Sequence, residues 1–431
     1  MVYDWHGPKL PIVNNRKDPD FIFKKSLDSK TTFPLYGHYP GPSLSLFPEI
    51  DIIPSFALKD NDTFIYNITN PESNGISGIF ENSNNTGFFN SDLDILKETL
   101  ITDSILDRIR KGNGYLMFEI TGESYISDKN IERLHSYFEQ YKIPLYKIIY
   151  YIGSVNGKEL YIDYCKRNDI RYRMNVTIYE WFEYIAGIQI NDSSHLLQPK
   201  DYSKIEKTFL CYNSRWRPHR ASLYAIFYKL DLLKYSYYSM ADQPEYLSWA
   251  HYWYSPHNLR LSGEEIAERL SISPMDITEL NNMVPLQIDN IGNTNDKTLL
   301  ILPESSDLHH KTLISVITET KFHTNDIFFT EKTYKPIGNK HPFIMVGPYK
   351  SLYYLRLKGY KTFSDFFDES YDLEENPTER LLKIGSLCKY INSWSEDQKK
   401  SFYTETQSIT EHNYKLLKSV EFKNTLNLGY K

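Results

Sequence analysis

Two stretches of this 431-residue chain gather side chains suited to holding an anion. The first is FLCYNSRWRPHRASLYAIF, residues 209–227. An apolar run ends near Asn213, and Pro218 is well placed as the first residue of a helix in which Leu223, Ile226, Phe227 and Leu230 recur at helical spacing. Arg215, Arg217 and Arg220 crowd the start of that helix, with His219 among them. A helix N-terminus carries unbonded N–H groups and partial positive charge, so cations there are unfavourable unless an anion offsets them. The turn therefore points to phosphate; its plain alternative is a solvated basic loop.

The second stretch is VITETKFHTNDIFFTEKTYKPIGNKHPFIMVG, residues 316–347. Two apolar runs, LISVIT and PFIMVG, read as buried strands, and the polar insert between them keeps two Thr-Glu pairs and four lysines close together. Thr330 can cap a short helix that begins Glu331-Lys332 and carries Lys335 and Pro336. Glu suits that end of a helix, whereas Lys332 suits it only by reaching out to an anion. A proline inside so short a helix is costly, and such local rule-breaking concentrates at functional sites. Glu319 ends the preceding strand and is expected on the same rim. A strand-end carboxylate can accept two hydrogen bonds from ribose hydroxyls, while Lys and Arg neutralise a pyrophosphate. A lone surface Glu-Lys pair would mean little energetically; beside the arginine turn it reads as half of a nucleotide site.

The elements that must position these residues alternate. After a Pro-, Asn- and Asp-rich opening of about 75 residues, read as surface strands and loops, come a helix ending at Gly112, strand YLMFEI, helix 128–141, strand LYKIIYYIG, helix ELYIDYCKRN and strand RMNVTIY. Residues 190–206 are polar and read as a linker. The alternation then resumes with TFLCYN, a helix from Pro218, LKYSYYS, TLLILP, LISVITET, a helix near 331–339, PFIMVG, a helix at 349–358 stopped by Gly359, and KTF. Two capped helices, begun by Asn376-Pro377 and by Ser395-x-x-Gln398, close the chain. Strands alternating with helices predict βαβ units, hence two α/β units on open parallel sheets, which bind ligands at strand carboxyl ends and in the cleft between halves.

The run ITET…FFTEKTYKPIGNKHPFIMVG resembles the donor-site signature of fucosyltransferase-type glycosyltransferases, and the turn at 213–220 resembles the arginine-bearing turn of that donor domain. The likeness covers roughly residues 206–394 and extends to glycosyltransferase-like proteins of phages and large viruses. The chain departs from it in Thr320, where Asn commonly follows the strand-end Glu, and in an insert at 241–295. The resemblance implies the GT-B architecture, two Rossmann-like domains facing a cleft: residues 1–205 for the acceptor, 206–394 for a nucleotide-diphosphate sugar, and 395–431 as helices that can return to the first domain. It implies that Lys332 and an arginine of the turn hold the pyrophosphate and that Glu331 or Glu319 holds the ribose. A donor site of fixed cations needs no metal or other cofactor. Asp92-Leu93-Asp94, a DxD of the kind metal-dependent transferases place at a strand end, suits a helix N-terminus better.

An inverting transfer also needs a base, expected from the first domain: Glu119, then Glu123, with Glu81 as a third candidate. The acceptor partner is a glycan or glycoconjugate, or a hydroxymethylated base of viral DNA on which aromatics such as SWAHYWY, 248–254, could stack. The competing class is a catalytically silent binding or structural protein on the same scaffold.

Composition bounds these readings. Length suggests two or three domains, and 41% hydrophobic with 24% charged residues is ordinary for a globular protein. A net charge of −6 argues against nucleic acid covering the whole surface, so the helix-turn-helix look of LSGEEIAERLSISPMDITELNN, 261–282, is read as an amphipathic helix pair. Three scattered cysteines make neither a disulfide framework nor a zinc site and fit a reducing compartment. DFFDESYD, 365–372, reads as a solvated loop whose Asp368 and Glu369 could face the cleft. With no apolar leader run and no membrane span, a cytoplasmic protein is expected, in a host cytoplasm if virus-encoded.

Overall fold

A computed structural model of the chain describes residues 12–14, 52–54, 64–69, 103–120, 126–193, 201–213, 217–240, 263–284, 286 and 303–420. They fall into two compact units that part between Trp181 and Phe182.

The first unit is built on a six-stranded parallel sheet of order β2-β1-β3-β4-β5-β6. Its strands are β1 (Ile12–Asn14), β2 (Ile52–Pro54), β3 (Phe64–Thr69), β4 (Gly114–Ile120), β5 (Ile148–Ile152) and β6 (Asn175–Ile178). The opening residues were expected at the surface, yet β1 lies between β2 and β3, inside the sheet. Each of these strands is three to six residues long, too short among Pro and Asn for an alternating pattern to declare itself. Helices α1 (Asp103–Lys111), α2 (Asp128–Gln140) and α3 (Gly157–Arg167) follow the expected pattern. They bring Ile105, Leu106, Ile109, Ile131, Leu134, Phe138, Tyr161 and Cys165 against buried Phe64, Leu116, Ile148 and Tyr150. Spacings of three and four put these residues on one helix face, and fully burying each large apolar side chain contributes roughly 1.5–3 kcal/mol.

In the second unit a four-stranded parallel sheet has the order β10-β9-β7-β8. Helix α4 (Trp181–Ser193) leads in, so part of the stretch read as a linker is helical, and the rest of it that is described holds a 3-10 turn at Tyr202–Lys204. Next come β7 (Lys207–Cys211), α5 (Pro218–Lys229) and β8 (Ser236–Tyr238), then α6 (Gly263–Arg269), α7 (Pro274–Met283) and α8 (Pro303–His310). After them come β9 (Thr312–Thr318), α9 (Glu331–Gly338), β10 (Phe343–Val346) and α10 (Ser351–Leu357). Every residue of β9 and β10 is buried, as in a sheet covered on both faces. Helix α5 is buried over His219–Phe227, its polar His219, Arg220 and Ser222 included. Gly385 allows α11 (Pro377–Asn392) to lie on it: an added Cβ would sit 2.5 Å from Ile226 Cγ2.

Asn376 caps α11 through the N–H groups of Thr378 and Glu379, and Ser395 forms a reciprocal box with Gln398 at the start of α12 (Glu396–Glu405), both as the sequence predicts. A further helix, α13 (Gln407–Lys418), follows, so three helices rather than two close the described chain. Asn413 of α13 pairs with the backbone of Lys361, and Lys340 meets Glu411 at 2.7 Å, tying this helix to the second unit. KTF, expected as a strand, is a non-repetitive segment whose Thr362 and Phe363 bond Glu369 instead. TLLILP lies outside the described residues.

Helices α6 and α7 are the amphipathic pair read at 261–282. Ile266, Ile272 and Leu280 are buried, and the pair packs on α5, with α6 also on α11. Asp276 meets Lys229 at 3.0 Å, Glu279 bonds Tyr228, and Arg269 meets Glu379 at 2.6 Å. Helix α7 has acidic residues and no Lys or Arg, so it offers no face to a phosphate backbone. Cysteines Cys165, Cys211 and Cys388 are free and buried, the first in one unit and the other two in the other. Among the described residues no helix is long and apolar enough to cross a membrane.

Candidate functional site

Strand β7 connects through α5 to β8 on one side, while β9 lies on its other side and leads on to β10. The order therefore reverses between β7 and β9, and the carboxyl ends of these two strands border the place where open parallel sheets take ligands. The two stretches singled out in the sequence leave those two ends. Thr318 Oγ1 donates to Asn213 Oδ1, and Asn213 N donates to Ser239 Oγ at 2.9 Å, joining the ends of β9, β7 and β8.

Glu319 follows β9 and is fully buried. Its Oε1 accepts from Thr330 N at 3.1 Å and from Thr333 Oγ1. Its Oε2 accepts from Thr320 N at 3.1 Å and from Thr330 Oγ1 at 2.8 Å. Four protein donors occupy the carboxylate, so the expectation that Glu319 offers itself to a ribose gives way to a bracket between β9 and α9. The TET…TEKT spacing supplies all of its partners.

Thr330 caps α9 as expected, accepting from Lys332 N at 3.3 Å. Lys332 Nζ lies 2.7 Å from Glu331 Oε1, 3.3 Å from Thr330 Oγ1 and 3.5 Å from Thr320 Oγ1. Both charged groups keep an open side: the Lys332 side chain is 17% exposed and that of Glu331 28%. Burial alone would raise the Glu331 pKa, but the ammonium groups of Lys332 and Lys335 outweigh it and hold it at about 2.

The arginine turn divides into distinct roles. Arg215 lies outside the described residues. Arg217 is the N-cap of α5, half-buried, with an extended backbone and no side-chain cap bond. Arg220 is buried, and its guanidinium donates to the carbonyls of Thr318 at 3.1 Å and Glu319 at 3.4 Å. Desolvation, with the Arg217 charge adding to it, brings its pKa down to about 10. Arg220 is thus a brace under the rim rather than a free ligand arm. His219 Nε2 lies 2.8 Å from the Glu319 carbonyl and so carries the proton there, and its ring stacks on Phe322 at 5.2 Å. Burial, with the Arg220 charge adding to it, holds His219 well below its ordinary pKa, so it is neutral.

The connection from Glu319 to Thr330 is unusually dry for a loop. Lys321 and Asp326 form a buried pair at 2.6 Å. Buried Arg380 of α11 donates to Phe322 O at 2.7 Å and lies over the Phe322 ring at 4.5 Å. Nothing in the sequence pattern separates this pair from solvated charges; only partners distant in sequence bury it.

The acidic run 365–372 is not a solvated loop. Glu369 is buried and accepts from Thr362 Oγ1, Phe363 N and Arg356. Asp372 caps α10 from outside, accepting from Leu352 N at 2.8 Å and Tyr353 N at 3.0 Å. Asp365 and Asp368 keep to the surface, Asp368 bonding Ser370. In the first unit Glu119 stands at the carboxyl end of β4, in register with Thr69 and Tyr151. Glu81, Glu123, Asp92, Asp94 and the aromatic run 248–254 lie outside the described residues. Among the described residues no cluster of three or more His, Cys, Asp or Glu is arranged to hold a metal ion.

No protein-family model and no curated protein sequence matches the chain. Among solved structures it is similar to an α,α-trehalose-phosphate synthase (UDP-forming) from Burkholderia vietnamiensis. That likeness has 10% identity and a TM-score of 0.36, over 72% of this chain and 65% of that one. It is also similar to the trehalose-6-phosphate synthase OtsA, with 11% identity and a TM-score of 0.35, over 73% of this chain and 67% of that one. The first match thus takes in just under two thirds of its counterpart. At these TM-scores neither likeness bears on activity or substrate.

Proposed function

We propose that this chain is a glycosyltransferase of the GT-B kind, with the nucleotide-diphosphate sugar held by its second unit. The observation that carries the reading is the meeting of two cation-bearing segments at the β7/β9 switch point, joined by Thr318–Asn213 and by the bonds of His219 and Arg220 to the end of β9. In this reading Lys332 and Arg217 take the diphosphate, assisted by Lys335 and Arg215, and Glu331 takes the ribose. Glu319 and Arg220 shape the site from beneath. Fixed cations offset the leaving charge, so no divalent ion is required.

In the transfer an acceptor hydroxyl oxygen attacks the anomeric carbon and the bond from that carbon to the phosphate oxygen breaks. The nucleoside diphosphate departs with the electron pair. The acceptor proton passes to a carboxylate of the first unit, Glu119 or Glu123, and attack opposite the leaving group inverts the configuration. The acceptor is a glycan or a hydroxymethylated base.

The test is thermal stabilisation by a panel of nucleoside diphosphates and their sugars, in the wild type and in Lys332→Ala. Stabilisation of the wild type that the variant loses supports the donor site and identifies the base. No stabilisation by any member overturns it in favour of a silent scaffold.

A further inference from the structure

We infer that Glu319 is a positioning residue that acts through the Thr330 hydroxyl to set Lys332, a role that rests on the donor-site reading. The argument is one of hydrogen-bond valence. A threonine hydroxyl has a single proton to donate. Thr330 spends it on Glu319 Oε2 at 2.8 Å, so the lone pairs of Oγ1 must face the other neighbours, Lys332 N and Lys332 Nζ, each at 3.3 Å. Were Glu319 not an acceptor, the hydroxyl could turn its proton elsewhere, and the oxygen would lose its fixed aim at the ammonium. The same carboxylate accepts from Thr320 N, and the Thr320 hydroxyl lies 3.5 Å from Lys332 Nζ. Glu319 thus orders both hydroxyl-bearing residues that Lys332 leans on, while itself fully buried and beyond the reach of a ligand.

The inference distinguishes a carboxylate from its isostere. All four groups facing Glu319 are donors, and a backbone N–H faces each oxygen. A glutamine must turn its NH₂ toward one of those N–H groups, so Glu319→Gln leaves an unsatisfied donor in either orientation, and with the NH₂ in the Oε2 position it also frees the Thr330 proton. Thr330→Val removes the relay while leaving Glu319 in place, and Thr330→Ser preserves the hydroxyl.

The experiment has two arms. In the first, affinity for uridine diphosphate, guanosine diphosphate and inorganic pyrophosphate is measured by calorimetry in the wild type and in Glu319→Gln, Thr330→Val, Thr330→Ser and Lys332→Ala. The double variants of Lys332→Ala with Glu319→Gln and with Thr330→Val complete the set. Glu319→Gln and Thr330→Val are each expected to weaken binding by about tenfold, as loss of one oriented charged contact does. Neither is expected to weaken it further once Lys332 is gone, and Thr330→Ser is expected to bind as the wild type does. A merely structural glutamate would weaken binding equally in both backgrounds, and that result overturns the inference.

The second arm needs no ligand. The acylation rate of Lys332 by an amine-reactive ester is followed by peptide mass spectrometry, and about fivefold faster labelling is expected in Glu319→Gln and Thr330→Val. If the wild type binds none of the three anions, the donor-site reading fails. Labelling still decides whether Glu319 governs Lys332, an unchanged rate in both variants overturning it.

Discussion

Thr318 Oγ1 lies 2.5 Å from Asn213 Oδ1, one hydrogen bond that ties the carboxyl end of β9 to that of β7 between residues 105 apart in sequence. Both side chains are buried, so neither can turn to water. Thr318→Val keeps the shape and removes the donor. The expected loss is about 1–3 kcal/mol, the cost of stranding the amide oxygen. Urea unfolding should show it as a lower midpoint at an unchanged slope.

The Lys321–Asp326 pair is buried on both sides, with side-chain exposures of 8% and 0%. Removing one partner strands a charge, and Asp326→Ala is expected to destabilise by about 3–5 kcal/mol. Replacing both by apolar residues of similar volume should recover most of that loss. A double-mutant cycle on thermal unfolding measures the coupling, and additive losses would contradict a coupled pair.

Two groups predict lower stability in acid. His219 is held neutral in the folded chain while its unfolded counterpart takes up a proton near pH 6.5, so its contribution is present above that pH and is lost as pH falls below it. Glu331, held at about 2 against an ordinary 4.5, contributes above pH 4.5, and that contribution fades as pH falls toward 2. Lys332→Ala should flatten the lower limb, because with only Lys335 left to oppose burial the carboxyl pKa moves back up toward its ordinary value. Stability measured between pH 8 and 2 in both proteins checks this.

Asp372 caps α10, whose own N-cap residue, Lys350, sits at φ 68° and supplies no cap bond. Asp372→Ala should cost about 0.5–2 kcal/mol, as loss of an N-cap does. Asp368→Ala, in the same acidic run, should change thermal stability little, because its bonds to Ser370 are exposed.

How much of this was legible beforehand differs from segment to segment. The α5 and α9 starts could be read because proline at N1 and threonine at an N-cap are local signals, and the parallel strands because β9 and β10 are mostly apolar. The meeting of the arginine turn with Glu319 could be argued only from topology, since nothing local joins residues a hundred apart. The direction in which Glu319 and Arg220 point was beyond local pattern. A charged residue at a strand end looks the same whether it faces a ligand or is enclosed by three threonines and a histidine. The place of β1 inside the first sheet and of β2 at its edge was not legible, because three-residue strands are paired by partners rather than by propensity.

The three buried thiols make the protein its own clock. Cys165 lies within the first unit, and Cys211 and Cys388 lie within the second, all at 0% exposure. Burial raises the pKa of each, that of Cys211 to about 12, which suppresses the reactive thiolate as well as hiding it. A thiol reagent can therefore mark each cysteine only when its surroundings open. Mass spectrometry of the labelled peptides would then time the opening of each unit separately, in the unmodified chain and with no introduced probe.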